Sequence, residues 1–102
     1  MATLHTVNKT PFERGSLESC LKYAAPGAVL LLIEDGVYAA VAGSVGAQML
    51  AGRSSDLRMC VLGPDMDARG IAWARLADGF EVVDYEGFVA LAAESDRVQS
   101  WL

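Results

Sequence analysis

The stretch Ala28–Gly43, AVLLLIEDGVYAAVAG, decides the fold. Its first part, Val29–Ile33, is a run of five consecutive apolar residues in which apolar and polar positions do not alternate. A short run of this kind, placed between a Pro-Gly pair and an acidic turn, is typical of a central strand in a parallel sheet that is covered on both faces. We therefore predict a central strand here, with Leu31 and Ile33 almost inaccessible to solvent.

The second part of the stretch predicts a short helix, Val37–Ala42, which is started by a turn at Asp35-Gly36. This helix has no polar face, so it must be covered on all sides. In so small a chain we expect part of that cover to come from another chain. The apolar residues at the C-terminus, Trp101-Leu102, need cover as well. The sequence therefore predicts obligate association with a partner.

The composition indicates one globular domain over residues 1–102. Apolar residues make up 53% of the chain and charged residues 21%, which is too apolar for a disordered protein. The formal net charge is −5, and the eight basic residues are scattered. Direct nucleic-acid binding requires clustered lysine and arginine to neutralise phosphates, so the charge argues against it.

The N-terminal residues show no secretory signal pattern, and no apolar run reaches the ~18 residues that a membrane span requires. The two cysteines, Cys20 and Cys60, are far apart and do not form a disulfide framework. We therefore expect a cytoplasmic protein with reduced thiols and no membrane association.

Strands and helices alternate along the rest of the chain. The other predicted strands are Leu4–Val7, Leu57–Leu62 and Phe80–Val83, and the tail Val98–Leu102 allows a fifth. The predicted helices are Ser16–Ala25, after a capping-box pattern at Thr10–Glu13, then Ser44–Gly52, one or two short helices within Met66–Ala77, and Tyr85–Glu94. This alternation predicts an α/β fold with a single open parallel sheet of four to five strands and helices on both faces.

Acidic and amide side chains follow the predicted strands, at the sheet edge where parallel α/β proteins place their sites. They are Asn8, Glu34, Asp35, Asp65 and Asp84. One interpretation is a metal site, and the other is a set of helix caps and turn formers. We favour the second, because Asp next to Gly or Pro is ordinary turn chemistry.

Other cofactor patterns are weak. One histidine and two isolated cysteines do not give the ligand spacing of a zinc site, and His5 is expected to be a structural residue near the sheet edge. The glycines of Gly43–Gly46 follow a helix rather than a strand, so they do not make a phosphate-binding loop. We expect no metal and no cofactor.

The two cysteines have different expected roles. Cys60 lies inside an apolar strand and is expected to be a small core residue. Cys20 lies towards the start of a helix and at the border of its apolar stripe, where partial exposure and the helix dipole favour a thiolate. Glu18 opposes that effect, whereas Lys9 and Arg14 offset Glu18. Cys20 is thus the candidate reactive residue, with an inert buried cysteine as the alternative.

Five blocks of the sequence resemble the DsrH subunit of the DsrEFH sulfur relay complex, which forms one small family with TusB. The resemblance covers essentially the whole chain, including both ends. The blocks are LHTVNKTPFERGSLESCLKYA (4–24), VLLLIEDGVYAAVAG (29–43), VLGPDMDARGI (61–71), VVDYEGFVAL (82–91) and VQSWL (98–102).

The resemblance implies a subunit of a heterohexamer with DsrE-like and DsrF-like partners, which passes persulfide sulfur to a DsrC-like acceptor during sulfur oxidation. It also implies that the main sulfur-carrying cysteine is on the DsrE-type subunit. The SLESC block places an auxiliary persulfide site at Cys20, and because TusB proteins can lack this cysteine, its presence favours the sulfur-oxidation branch. Two alternatives stay open: a purely structural subunit, and a TusB-like role in thiolation of the tRNA wobble uridine.

Overall fold

The computed structural model describes residues 2–10 and 15–102, and within them the chain forms an open sheet of five parallel strands. The strands are β1 (Thr3–Val7), β2 (Val29–Leu32), β3 (Arg58–Leu62), β4 (Phe80–Val83) and β5 (Arg97–Trp101). Their order across the sheet is β4-β3-β2-β1-β5, and each neighbouring pair is parallel. The predicted α/β class is therefore confirmed, and the tail supplies the fifth strand.

Helices cover both faces of the sheet, as predicted. They are α1 (Ser16–Tyr23), α2 (Val45–Ala51), α3 (Gly63–Ala68) and α4 (Tyr85–Glu94), with two 3-10 helices at Glu34–Ala40 and Trp73–Arg75. The larger apolar cluster joins α1, α2 and α3 to one face, whereas α4 packs through Leu91 on the other. In the described part of the chain, no helix has the length and apolar character needed to cross a membrane.

The apolar run that predicts the central strand does lie at the centre of the sheet. Strand β2 pairs with β1 on one side and β3 on the other, and all four of its residues are buried. Successive side chains of a strand point to opposite faces, so both layers of helices need apolar contacts from this one strand. Ile33 is only partly buried, because the strand ends at Leu32 and Ile33 precedes the 3-10 helix.

The helix predicted at Val37–Ala42 is instead a 3-10 helix that begins earlier, at Glu34. Glu34 adopts a left-handed backbone with φ of 49°. Gly36 lies so close to the end of β1 that a Cβ atom there would be 2.1 Å from the carbonyl oxygen of Val7. The chain thus turns immediately after β2, and only a glycine at position 36 leaves room for β1.

This chain itself covers much of that apolar helix. Val37, Ala39 and Ala40 are buried in the larger cluster. Residues 71–77 fold back over the segment and form an antiparallel bridge between Val41 and Leu76. The inference that another chain supplies the cover is therefore weakened, since Tyr38, at 41% exposure, is the large side chain left open there. Obligate association stays a prediction.

Other boundaries differ by a few residues. Helix α1 ends at Tyr23 rather than Ala25, and α3 begins at Gly63, with a proline in its first turn, before the predicted range Met66–Ala77. Proline is well tolerated there because the first helical N–H groups have no partner within the helix. The predicted bounds of β4 and α4 are confirmed. Most of the predicted capping box, residues 11–13, lies outside the described residues.

Candidate functional site

Cys20 lies in the core of the molecule, not at the border of the helix stripe. Its side chain is 0% exposed and belongs to the larger apolar cluster together with Leu17 and Ala24 of the same helix face. Residues three and four apart share one face of a helix, so Cys20 lies between these two residues against the sheet. The predicted partial exposure of Cys20 is therefore wrong for this chain on its own.

The thiol of Cys20 is also poorly suited to ionise. Burial raises its pKa to about 12, although the nearby Arg53 lowers it in part. A helix N-terminus favours a thiolate only within its first turn, and Cys20 is the fifth of eight residues in α1. In this chain, burial and the position in the helix therefore both disfavour the predicted thiolate. Of the charges invoked for Cys20, Arg14 lies outside the described residues, and no ion pair within them involves Lys9 or Glu18.

The guanidinium of Arg53 binds the end of α1. It donates to the carbonyl oxygens of Leu21 at 2.5 Å and Ala24 at 2.7 Å, and its Nε forms an ion pair with Asp56 at 3.1 Å. The last carbonyls of a helix have no partner within it, so this arginine acts as a side-chain cap. Its charge is paired with Asp56, and two of its N–H groups are bound to helix carbonyls. Sequence analysis did not identify Arg53, because it lies about thirty residues from the helix that it caps.

Cys60 is a core residue, as predicted. It lies on β3 and packs with Leu4, Leu31 and Leu91 on the face covered by α4. Burial raises its pKa to about 11, and the carboxylate of Glu81 adds to that effect. Neither cysteine of the chain therefore presents a reactive thiol at its surface.

The acidic residues at the carboxyl edge of the sheet are caps and turn partners. Asp84 accepts a hydrogen bond from the N–H of Gly87 at 2.8 Å and so caps α4. Asp65 accepts from the N–H of Glu34 at 2.6 Å, and Asp35 pairs with Arg69 at 2.9 Å. The bonds of Asp65 and Asp35 fix the strained turn after β2 and hold α3 against it, so these three aspartates act as a helix cap and turn partners, as the favoured interpretation predicts.

No group of three or more metal-ligating side chains occurs among residues 2–10 and 15–102. At the same edge, the side-chain oxygen Oδ1 of Asn8 is buried without a hydrogen-bond partner. A cavity of about 490 Å³ lies further along this edge and is lined by Gly63, Trp73 and Asp84, among others. Trp73 is held there by a hydrogen bond from its indole nitrogen to Asp67 at 3.2 Å.

His5 is a structural residue, as expected. Its Nδ1 accepts a hydrogen bond from the indole nitrogen of Trp101 at 3.0 Å, and burial lowers its pKa. A neutral imidazole that accepts at Nδ1 carries its proton on Nε2. The bond connects β1 to β5 and holds the C-terminal tryptophan in place. The tail is thus part of the sheet and not a free end.

A cavity of about 720 Å³ opens beside this pair, at the start of β1 and β5. Tyr23, Arg97 and Gln99 line it together with His5 and Trp101. Tyr23 stacks on Trp101 with ring centres 6.1 Å apart and planes 12° apart. Sequence analysis did not identify this cavity; its one signal was the apolar C-terminal tail, for which a fifth strand was only an open alternative.

Comparisons with known proteins give matches over nearly the whole chain. The family model described as DsrH like protein matches residues 9–98. The chain is 35% identical over 98 residues to Protein TusB of Enterobacter sp. (strain 638). It is 31% identical over 98 residues to Protein TusB of Escherichia coli O1:K1 / APEC. Each match covers 96% of this chain and 99% of the relative.

Two solved structures share the fold. The ychN protein of E. coli superposes with a TM-score of 0.75 at 19% identity, covering 98% of this chain and 99% of that one. The protein MTH1491 of Methanobacterium thermoautotrophicum, described as of unknown function, superposes with a TM-score of 0.74 at 13% identity, covering 96% and 97%. At these identities the likeness shows the shared fold alone.

Proposed function

The chain belongs to the DsrH/TusB family of sulfur relay subunits, and from this premise we propose that it is a TusB-like structural subunit. In this role it completes a cytoplasmic complex that relays persulfide sulfur towards thiolation of the tRNA wobble uridine. The reactive cysteine belongs to a partner subunit of the DsrE type. This chain contributes the surfaces that hold the partners together.

The named relatives support the thiolation branch over sulfur oxidation. The cited proteins named TusB are 31% and 35% identical to this chain over nearly its whole length. The argument for sulfur oxidation came from Cys20, which TusB proteins can lack. Because Cys20 is buried in the core, its presence is explained by packing and does not by itself indicate the oxidation branch.

The observation that carries the structural role is the burial of both cysteines. In persulfide transfer an acceptor thiolate attacks the outer sulfur of a donor persulfide, the bond between the two donor sulfurs breaks, and the donor leaves as a thiolate. Each step needs an accessible and ionised sulfur. Cys20 is 0% exposed with its pKa raised to about 12, so it meets neither condition in this chain. An auxiliary persulfide at Cys20 stays a prediction that requires the assembly to expose the thiol.

The proposal is tested by complementation. A bacterial strain that lacks its own TusB receives the chain together with its two partner subunits, and the thiolated wobble uridine of its tRNA is measured by mass spectrometry. We expect the wild type to restore thiolation. The variant Cys20→Ala should restore it to within about twofold of the wild-type level, because the thiol contributes packing in the core and takes no part in the chemistry.

Loss of thiolation in Cys20→Ala, with the complex still assembled, would give Cys20 a chemical role. Failure of the wild type to restore thiolation, with the complex assembled, would contradict the thiolation branch. Intact-mass measurement after incubation of that complex with a persulfide donor then tests the oxidation branch, in which a sulfur atom is added to Cys20 and not to Cys60.

A further inference from the structure

An exposed surface runs along β5, the edge strand next to β1. In the sheet order, β5 has a neighbour on one side only, so its other edge presents unpaired backbone groups. The first four residues of the strand are exposed. We call this region the β5 surface and define it by Tyr23, Arg97, Trp101 and Leu102.

The centre of the β5 surface is a rigid aromatic platform. Tyr23 is 72% exposed and stacks on Trp101, whose indole nitrogen is bound to His5. The platform forms one wall of the 720 Å³ cavity. Rings that are already fixed lose little conformational freedom on binding, which is why exposed tyrosine and tryptophan are frequent anchors of protein interfaces.

The cavity at the β5 surface is lined without acidic side chains, although the molecule as a whole is acidic. The chain has 13 acidic and 8 basic residues, yet none of the ten residues that line the cavity is acidic. Arg97 lies at the cavity, and no ion pair within the described part of the chain involves it. A complementary partner therefore brings a carboxylate to this position.

The extent of the surface indicates a protein partner rather than a small molecule. Apolar exposure continues past the aromatic platform, with Leu102 at 74% exposure. The cavity is partly open to solvent, whereas the pockets that bind small molecules enclose most of their ligand. An extended segment of a partner covers all these side chains and can also pair with the open edge of β5.

We propose that the β5 surface docks a partner subunit of the relay complex. A segment of that subunit places an apolar or aromatic side chain on the Tyr23–Trp101 platform and a carboxylate on Arg97. The inference rests on the proposed function, because it takes the partner from the complex that the family forms. It adds the surface of this chain at which the contact is made and the chemistry of the partner segment.

The test uses the complex obtained by co-expression of the chain with its two partner subunits, with an affinity tag on a partner. The variants are Tyr23→Ala and Arg97→Glu, and the matched controls are Tyr85→Ala and Arg75→Glu, which change exposed residues of the same types outside the β5 surface. Circular dichroism of each chain establishes that it folds.

We expect Tyr23→Ala and Arg97→Glu each to weaken binding of the chain to the partner subunits by about tenfold or more, with both controls within about twofold of wild type. Wild-type binding should also weaken with added salt, and Arg97→Glu should remove most of that dependence. Wild-type affinity in both β5-surface variants would overturn the inference and leave the proposed function intact. Absence of binding by the wild type would overturn the proposed function, and the inference with it.

Discussion

Labelling of Cys20 by a thiol reagent is the most direct measure of whether this chain can handle sulfur itself. Alkylating reagents attack thiolates, so the rate depends on access to the sulfur and on the fraction that is ionised. The ordinary pKa of a cysteine is 9.0, and burial raises that of Cys20 to about 12. At any pH well below both values, this difference lowers the thiolate fraction by about a thousandfold. The complete burial of the side chain adds to that protection.

The assay compares the folded chain with the same chain unfolded in guanidinium at pH 8, using N-ethylmaleimide and peptide mapping to separate Cys20 from Cys60. We expect Cys20 in the folded chain to react about a thousandfold more slowly, or slower still. Cys60, whose pKa is about 11, should be protected as well. The rate at Cys20 should rise about tenfold for each pH unit between pH 7 and 9, because ionisation stays far from complete.

A folded-state rate at Cys20 within tenfold of the unfolded rate would refute this reasoning. So would a rate that levels off near pH 8, since a plateau there means that the thiol is already ionised. Either result would restore the reactive cysteine that the SLESC block implies. The same measurement on the assembled complex shows whether partners expose the thiol.

Two further predictions concern the framework around the site. Gly36→Ala should destabilise the chain by about 3 kcal/mol in thermal unfolding, because the new Cβ would meet a β1 carbonyl oxygen at 2.1 Å. The control Gly52→Ala, whose Cβ would have its nearest neighbour beyond the adjacent residues at 3.8 Å, should be neutral or slightly stabilising. Equal melting temperatures of the two variants would contradict the close approach at Gly36. Arg53→Ala should lower the free energy of unfolding in urea by about 2–3 kcal/mol, because it removes two charge-assisted hydrogen bonds that cap α1. The control Arg58→Ala, whose ion pair is half exposed, should lower it by less than about 1 kcal/mol. Equal losses in the two variants would contradict the capping role of Arg53.

Local signals in the sequence were enough for the central strand and the last helix. Val29–Leu32 is apolar at every position, and few structures other than a doubly covered strand accommodate such a short run. Helix α4 begins just after Asp84, whose side chain caps it as the residue type suggests. Strand β5 was uncertain because its residues are mostly exposed and do not alternate, so its place depends on pairing with β1.

The segment after β2 shows why non-local contacts limit prediction. An apolar helix requires cover, and the sequence established that requirement correctly. It could not establish which residues supply the cover, because the bridge between Val41 and Leu76 joins positions 35 residues apart. The apolar sequence of this segment is the same whether a partner or the chain's own 71–77 segment covers it.

The position of Cys20 illustrates the same limit at the candidate site. Its spacing from Leu17 and Ala24 already places it on the apolar face of α1, but whether that point of the face is a border or a centre depends on how the helix lies on the sheet. The cation that lowers its pKa in part, Arg53, comes from another element and is bound to helix carbonyls. A cysteine in this position is a packing residue unless an assembly moves α1. This burial supports the proposal that a partner's cysteine carries the sulfur and that this chain contributes a binding surface.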